Sequence, residues 1–272
     1  MKYVVAVSGG VDSMALLDMM AREGSHELIV AHFDHGIRID SHEDAAFVKE
    51  AAVRYGLPFE TRRENLGADA SEALARDRRY AFLKTVAGRH KAKIVTAHHL
   101  DDLVETVAIN ITRGTGWRGV AALDADILRP LIDTEKSELI AYAVRKNIAW
   151  REDSTNASDA YLRNRLRRRT DALESEQKRE LRALHAQQKV LKRVIEEEAR
   201  ALLGDGPWYN RYFFIQVQPA VALECLRELT EGALTRPQLA RLLHAIKTAQ
   251  PNAAYEAGEG IRIHFSTRQF SL

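Results

Sequence analysis

The sequence predicts an α/β fold, a mainly parallel and doubly wound sheet followed by a long helical connector and a small α+β domain. Three observations point there. Short apolar runs alternate with longer segments of helical periodicity through the first half of the chain, the pattern of strands joined by right-handed helical crossovers. Residues 161–203 contain neither proline nor glycine and read as one extended helical stretch. After the turn signal GDGP at 204–207, two helical segments are followed by a closing alternation of apolar and polar residues. The divisions expected from these changes are 1–168, 169–203 and 204–272.

The apolar runs are KYVVAV at 2–7, ELIVAHF at 27–33, LPFETR at 57–62, AKIVTA at 92–97 and ADILRP at 125–130. Between them, a helix beginning after Ser41 places Phe47, Ala51 and Val53 on one face, and one beginning near Ser71 does so with Leu74, Tyr80, Phe82 and Leu83. A helix beginning near Leu100 has Val104, Val107, Ala108 and Ile111 as its buried stripe. In the connector, Leu181, Leu184, Leu191, Ile195 and Leu202 fall near one side. Helices near 219–230 and 235–248 follow, and Ile261, Ile263, Phe265, Phe270 and Leu272 alternate as in a half-buried hairpin. Met14, Met19, Met20 and Cys225 read as packing residues.

A chain of 272 residues, 46% hydrophobic and 29% charged, builds a globular core and leaves little room for disorder. Its one cysteine, Cys225, excludes a disulfide framework, a thiolate cluster and a cysteine-pair redox site within the chain, and makes a reducing cytoplasm the expected home. Neither a signal peptide nor a membrane span is expected. The net charge of +2 leans only slightly toward a nucleic-acid partner.

In parallel sheets, ligands bind beyond the carboxyl ends of the strands, where the loop in VAVSGGVDSMALLDMM (5–20) lies. Its adjacent glycines, Gly9 and Gly10, permit close backbone approach, and the amides opening the next helix, with the Ser8 and Ser13 hydroxyls, would cradle an oxyanion. Neither the lysine of a Walker loop nor the spacing G-x-G-x-x-G is present. The plain alternative is a Ser-Gly turn with Asp12 favouring the helix dipole. In HHLDDLVET (98–106), Asp101 and Glu105 share a helix face at i, i+4, and Asp102 lies beside Glu105 at i, i+3. The dipole explains acids in a first turn but not Glu105 one turn on, so a cation is expected there. His98 and His99 lack the cysteine or H-E-x-x-H partners of a zinc site. Asp34 and His35 end the second strand at the same edge. Arg76 and Arg79, at i, i+3, suit either phosphate or a solvated face. Arg113, with Gly114 and Gly116, closes a helix, and Arg163, Arg165, Arg167, Arg168 and Arg169 form the densest positive cluster, beside Tyr161 and Asn164.

The loop S-G-G-x-D-S resembles the pyrophosphate loop of the PP-loop ATP pyrophosphatase superfamily, whose fold is Rossmann-like. With AHFDHGIR (31–38), ARDRRYAFL (75–83), TAHHLDDLVETVAINITRGTGWRG (96–119), RPLIDTEKSELIAYAVRKNIAWREDSTN (129–156) and YLRNRLR (161–167), it resembles the tRNA(Ile)-lysidine synthetase family, strongly over residues 3 to 167 and weakly beyond. The resemblance implies a ligase that uses ATP and magnesium to join free L-lysine to the wobble cytidine of a CAU-anticodon tRNA(Ile) through an adenylated cytidine. It makes 1–168 the ATP-binding catalytic domain, 169–203 a connector and 204–272 a tRNA-binding domain. It implies catalytic roles for Asp12, Asp34, Asp102, Glu105 and Arg113, with Asp12 also the magnesium ligand. Ser8, Gly9, Gly10, Asp12, Ser13, His32, Arg76 and His98 would bind the nucleotide, and Asp101, Asp102 and Glu105 the lysine. Arg79, Arg118, Arg163, Arg165, Arg167 and Arg168 would meet tRNA. Asp34 stands where many relatives carry asparagine, and Leu103 where a polar residue is common. A homodimer stays open as an assembly. Three rivals remain: a tRNA thiolation enzyme of the same superfamily, a small-molecule amidating ligase, and a non-catalytic nucleotide-sensing or RNA-binding module that would bind ATP without forming AMP.

Overall fold

The computed structural model describes residues 1–37, 41–67, 70–123, 126–151, 166, 169–170 and 172–272. These fall into two units, Met1–Ala186 and Gln187–Leu272.

The first unit is built on five strands, β1 (Lys2–Ala6), β2 (Glu27–Asp34), β3 (Phe59–Arg63), β4 (Lys93–Val95) and β5 (Ile127–Leu128). They lie in the order β3-β2-β1-β4-β5, with every pairing parallel; Val4 sits opposite Ile29 on one side and Ile94 on the other. The chain therefore winds outward from β1 to β3 and then returns to start again at β4. The carboxyl ends of β1 and β4 adjoin where the winding reverses, the place where open parallel sheets leave a crevice.

Helices cover both faces because the strands alternate. Tyr3, Val5 and Val7 pack with α1 (Val11–Glu23), α2 (Ser41–Arg54) and α6 (Lys136–Arg145) through Met14, Leu16, Leu17, Val48, Leu139 and Ala143. Val4, Ile29, Ala31 and Phe33 meet Phe82, Leu83, Val86 and Ala87 of α3 (Glu72–His90) on the other face. Fully burying such a side chain is worth about 1.5–3 kcal/mol. Within the first layer lies a carboxylate that sequence reading passes over. Asp18, fully buried on α1, accepts hydrogen bonds from Tyr55 Oη (2.5 Å), Tyr142 Oη (2.7 Å) and Arg22 Nε (2.8 Å). Buried charge is tolerated when it is paired in this way, and here it ties α1 to Tyr55, just past α2, and to α6.

Two further helices, α4 (Leu100–Thr112) and α5 (Trp117–Val120), complete this unit with the start of α7 (Ser175–Leu203). The second unit carries the rest of α7 and the antiparallel sheet β6-β9-β8-β7, formed by β6 (Tyr209–Asn210), β7 (Ala254–Gly258), β8 (Ile261–Phe265) and β9 (Gln269–Ser271). Three helices, α8 (Arg211–Gln216), α9 (Pro219–Leu229) and α10 (Arg236–Thr248), share its core with Phe214, Cys225, Leu239, Ile263 and Phe270. Among the described residues no helix is long and apolar enough to cross a membrane.

The predicted fold class is the one observed, but several faces differ from the periodicity reading. Val53 is 69% exposed, because it lies two residues beyond Ala51 and so across the helix from it; Val48, Ala51 and Ala52 make the contact instead. Leu74 is exposed in the first turn of α3, two turns ahead of the buried stripe, and Ile111 is exposed in the last turn of α4, beyond Val104 and Val107. Leu272, expected to alternate inward with Phe270, lies past the end of β9 and is exposed. In α7, Leu184, Leu191 and Leu202 face solvent, whereas Lys178, His185 and Ala199 are buried. The first turns of that helix are held by polar contacts rather than by leucines. Cys225 and Met14 are buried as expected, and Met19 and Met20 pack partly buried against the core.

Candidate active site

The loop after β1 is shaped by one glycine. Gly9 has φ of +98°, a conformation that disfavours side chains, and it turns the chain so that successive amides converge. The Ser8 and Gly9 N–H groups both donate to Ser13 Oγ, at 3.2 and 3.3 Å, and the Ser13 hydroxyl donates to the Gly10 carbonyl at 2.9 Å. Gly10 N–H reaches Ser8 Oγ at 3.4 Å. Gly10 is also the N-cap of α1 and supplies no side chain to cap it. The first-turn amides of Val11, Asp12 and Ser13 thus have no partners within the helix. A loop whose amides close on an oxygen, followed by an uncapped positive helix end, is an oxyanion cradle. It is braced from outside: His32 Nδ1 donates to the Val7 carbonyl at 2.9 Å, and Arg151 N–H donates to the Gly9 carbonyl at 3.0 Å. Burial holds the His32 ring below the usual imidazole range, so it stays neutral with its one ring proton on that bond.

Beside this loop, across the reversal point, the segment leaving β4 carries two histidines of opposite character. His98 is held neutral: burial first, then the guanidinium charges of Arg79, Arg129 and Arg76, lower it to about 3, while its Nδ1 meets Thr96 Oγ1 at 2.7 Å. His99 is buried too, which opposes its charged form, but the carboxylates of Asp101, Asp12 and Asp102 close around its ring overcome that and raise it to about 9. Its Nε2 lies 3.6 Å from Asp12 and 3.4 Å from Asp102, and its Nδ1 lies 3.5 Å from Asp101. At neutral pH an imidazolium therefore stands among three carboxylates.

Asp101 is further engaged. Its Oδ2 accepts the Lys136 N–H at 2.8 Å, and its Oδ1 accepts from Lys178 Nζ at 2.6 Å. Burial pushes its carboxyl up, but these donors together with His99 hold it well below the ordinary carboxylate range. Asp102 also accepts the His99 N–H at 3.1 Å, as an acid in a first helical turn does. Glu105, one turn on, is only 2% exposed.

The structure thus brings Ser8, Gly9, Gly10, Asp12, Ser13, His32, His98, Asp101 and Asp102 to one stretch of the sheet edge. Arg76 and Arg79 flank the Tyr80 ring at 4.9 and 5.3 Å and act on His98 from α3. Asp34 ends β2 on the same edge, where it is buried and occupied locally: Oδ1 accepts the Gly36 N–H at 2.8 Å and Oδ2 lies 3.3 Å from Arg63 Nε. Arg113 is exposed at the opposite end of α4, about 18 Å along the axis from Asp101 at 1.5 Å per residue. Arg118 stacks on Trp117 at 4.7 Å in the next short helix. Arg163, Arg165, Arg167 and Arg168, with Tyr161 and Asn164, lie outside the described residues; Arg169 is exposed.

Three residues of this region escape the sequence reading as site residues. Arg129 follows β5 at the sheet edge, a position that the run ADILRP already marks. His99 is set aside there together with zinc, although its place ahead of two acids is what creates its charge. Lys178 lies 77 residues from its partner Asp101, and nothing local signals that pairing.

Together the strand order, the cradle and the acid cluster define a nucleotide-binding α/β protein of the pyrophosphate-loop kind. Residues 1–172 match the PP-loop domain family, and the chain belongs to it. It is 38% identical over 263 residues to a tRNA(Ile)-lysidine synthase of Thermus thermophilus, covering 90% of this chain and 52% of that protein. The corresponding enzymes of Solibacter usitatus and Exiguobacterium sibiricum are 39% and 41% identical over 172 and 174 residues, each covering 61% of this chain and 39% and 42% of theirs. The chain spans about half the length of the Thermus relative. Among solved structures, the U34-tRNA thiolase NcsA from Methanococcus maripaludis shares the fold, with a TM-score of 0.59 at 18% identity, covering 70% of this chain and 72% of that one.

Proposed function

We propose that this protein is an ATP-dependent tRNA(Ile)-lysidine synthetase, joining free L-lysine to the wobble cytidine of a CAU anticodon. The observation that carries the proposal is the amide cradle of Ser8, Gly9 and Ser13 lying beside the Asp12–His99–Asp102 cluster where the sheet reverses. In this reading residues 1–168 act on ATP and lysine, and the connector and 204–272 serve the tRNA.

The chemistry needs two displacements. The carbonyl oxygen of the cytosine base attacks the α-phosphorus of ATP and pyrophosphate leaves; the lysine ε-nitrogen then attacks that carbonyl carbon, AMP leaves with the oxygen, and the nitrogen gives up its proton. The loop amides and the Ser8 and Ser13 hydroxyls hold the triphosphate tail and take up charge on the departing pyrophosphate. Asp12 and Asp102 both approach the same ring nitrogen of His99, and no group of three metal-ligating side chains occurs among the described residues. Two acids without a full protein cage fit magnesium, which keeps water and phosphate oxygens as its other ligands. Bound there, magnesium would neutralise the leaving pyrophosphate. Asp102 and Glu105 receive the ammonium of lysine, whose ordinary pKa near 10.4 means it arrives charged and must be deprotonated before attack. Arg76 meets the nucleotide, and Arg79, Arg118 and the arginines at 163, 165, 167 and 168 position RNA phosphates, which fixes register but carries no sequence information. The wobble base leaves its stack to enter.

A thiolation enzyme on this fold would need sulfur chemistry, and the single cysteine here is buried with its thiol pushed up to about 11, chiefly by burial. The deciding experiment supplies ATP, magnesium, labelled lysine and CAU-anticodon tRNA(Ile). Label in the RNA with stoichiometric AMP and pyrophosphate supports the ligase; ATP binding with no AMP leaves the non-catalytic module instead.

A further inference from the structure

The first turns of α7 reach the candidate site through charge. Lys178, Arg182 and His185, at i, i+4 and i+7, share one face of the helix. Arg182 Nε lies 2.8 Å from Asp133 Oδ1, and His185 Nε2 lies 2.7 Å from the Ala122 carbonyl. Neither partner belongs to the site. Lys178 differs: it is 8% exposed, and its ammonium donates to Asp101 Oδ1 at 2.6 Å, with Glu135 at 3.9 Å. From Asp101 the contacts continue inward through the His99 ring to Asp102 and Asp12.

We propose that Lys178 is a positioning residue of the nucleotide site, holding Asp101 so that the His99 ring remains shared with Asp12 and Asp102. The inference rests on the reading of Asp12 given under Proposed function. Its physical basis is that a carboxylate in a partly dry site is costly without donors and turns to the nearest one left. With Lys178 present, Asp101 has a donor on each oxygen, and the His99 ring keeps similarly long contacts to all three acids. Without Lys178, Asp101 Oδ1 loses its donor, and the nearest side-chain nitrogen left to the carboxylate is His99 Nδ1, 3.5 Å away. The ring would be drawn toward Asp101 and away from Asp12 and Asp102, disturbing the pair of acids that faces the pyrophosphate loop. Lys178 touches no reacting atom in this scheme and acts through Asp101.

The alternative is that the Lys178 ammonium simply occupies a seat meant for substrate lysine. The two ideas predict opposite kinetics. Three variants separate them: Lys178→Met, Lys178→Arg, and Arg182→Met, one turn along, which cuts an ion pair whose acid is largely exposed. With ATP, magnesium, lysine and CAU-anticodon tRNA(Ile), Lys178→Met should lower the kcat of pyrophosphate release by about tenfold or more. The KM for lysine should stay within about twofold. Lys178→Arg should recover to within about threefold, since the charge is kept while the geometry is changed. Arg182→Met should stay within about twofold, as expected for an exposed pair. A lower lysine KM in Lys178→Met, or equal losses in Lys178→Met and Arg182→Met, overturns the inference. Ring-nitrogen NMR shifts of His99 in the substrate-free protein provide a readout independent of turnover. They should move in Lys178→Met and not in Arg182→Met, and unmoved shifts overturn the inference whatever the rates. If those shifts move as expected but the wild type forms no pyrophosphate, the functional reading falls and the positioning role stands.

Discussion

His99 in the first unit and Arg211 in the second are both buried side chains that carry positive charge, and they are satisfied in opposite ways. His99 stands 3.4 to 3.6 Å from three carboxylates at the sheet edge. Arg211 donates to three main-chain carbonyls, those of Ile246 at 2.8 Å, Ala249 at 2.8 Å and Ser266 at 3.0 Å, and stacks over Phe265. Long contacts to side-chain acids at a sheet edge are ones a ligand can rearrange. Short bonds to the backbone of separate segments are ones that only unfolding breaks. His99 thus stands in a setting that a ligand can rearrange, and Arg211 in one that holds the fold.

The most disruptive way to test that contrast is Arg211→Met. It leaves one buried and two partly buried carbonyls without their donor, and with an unsatisfied buried group costing about 1–3 kcal/mol the loss should reach roughly 2 kcal/mol or more. Denaturant unfolding followed by probes in each unit should show the transition of Gln187–Leu272 displaced and that of Met1–Ala186 unchanged. A protein that unfolds with wild-type midpoints would mean the three bonds contribute little.

The matching change in the first unit is Asp12→Ala. It removes one of the acids facing His99 Nε2 and should depress pyrophosphate release by about a hundredfold or more, the scale of a lost transition-state stabiliser. Thermal stability should scarcely change, because the contact is long and the side chain partly exposed. Strong destabilisation with turnover retained would place Asp12 with Arg211, as architecture.

His98 gives a smaller and pH-dependent effect. The folded protein holds it to about 3, against an ordinary 6.5, so the unfolded chain takes up a proton that the folded chain refuses. Its contribution is therefore intact above pH 6.5 and is lost as the pH falls from 6.5 toward 3, at about 1.4 kcal/mol per pH unit for one proton. Denaturant midpoints across that window should flatten in His98→Asn. An unchanged slope would show that other groups carry the acid sensitivity.

Much of this is legible in the chain because it depends on neighbours. The strand runs, the S-G-G-x-D-S loop and the carboxylates of α4 each sit within a few residues of what gives them meaning; the strand order β3-β2-β1-β4-β5 does not, since crossover handedness alone leaves it open. Lys178 is not legible, because its partner Asp101 is fixed only when the start of α7 folds back on α4. Asp18 is not legible for the same reason: Tyr55 and Tyr142 come from distant segments. His99 is visible as a residue and invisible as a charge, since its state depends on three acids that the sequence does not place around one ring. The arginines at 163–168 are plain in the sequence, yet a run of like charge reads equally as solvated surface.

The smallest expected effect tests a face rather than a site. Periodicity puts Val53 with Phe47 and Ala51, but a step of two residues turns a helix by about 200°, which carries the side chain to the far side. There it is 69% exposed, with Val48 and Ala52 filling the core instead. Val53→Lys should therefore change the unfolding free energy by no more than about 0.5 kcal/mol, as surface substitutions generally do, and lysine is the better helix former. Val48→Lys, fully buried on the other side of the same helix, should prevent stable folding by placing an unpaired charge against α1. If the two variants were equally destabilised, the face of α2 turned to the sheet would be the one periodicity first suggests.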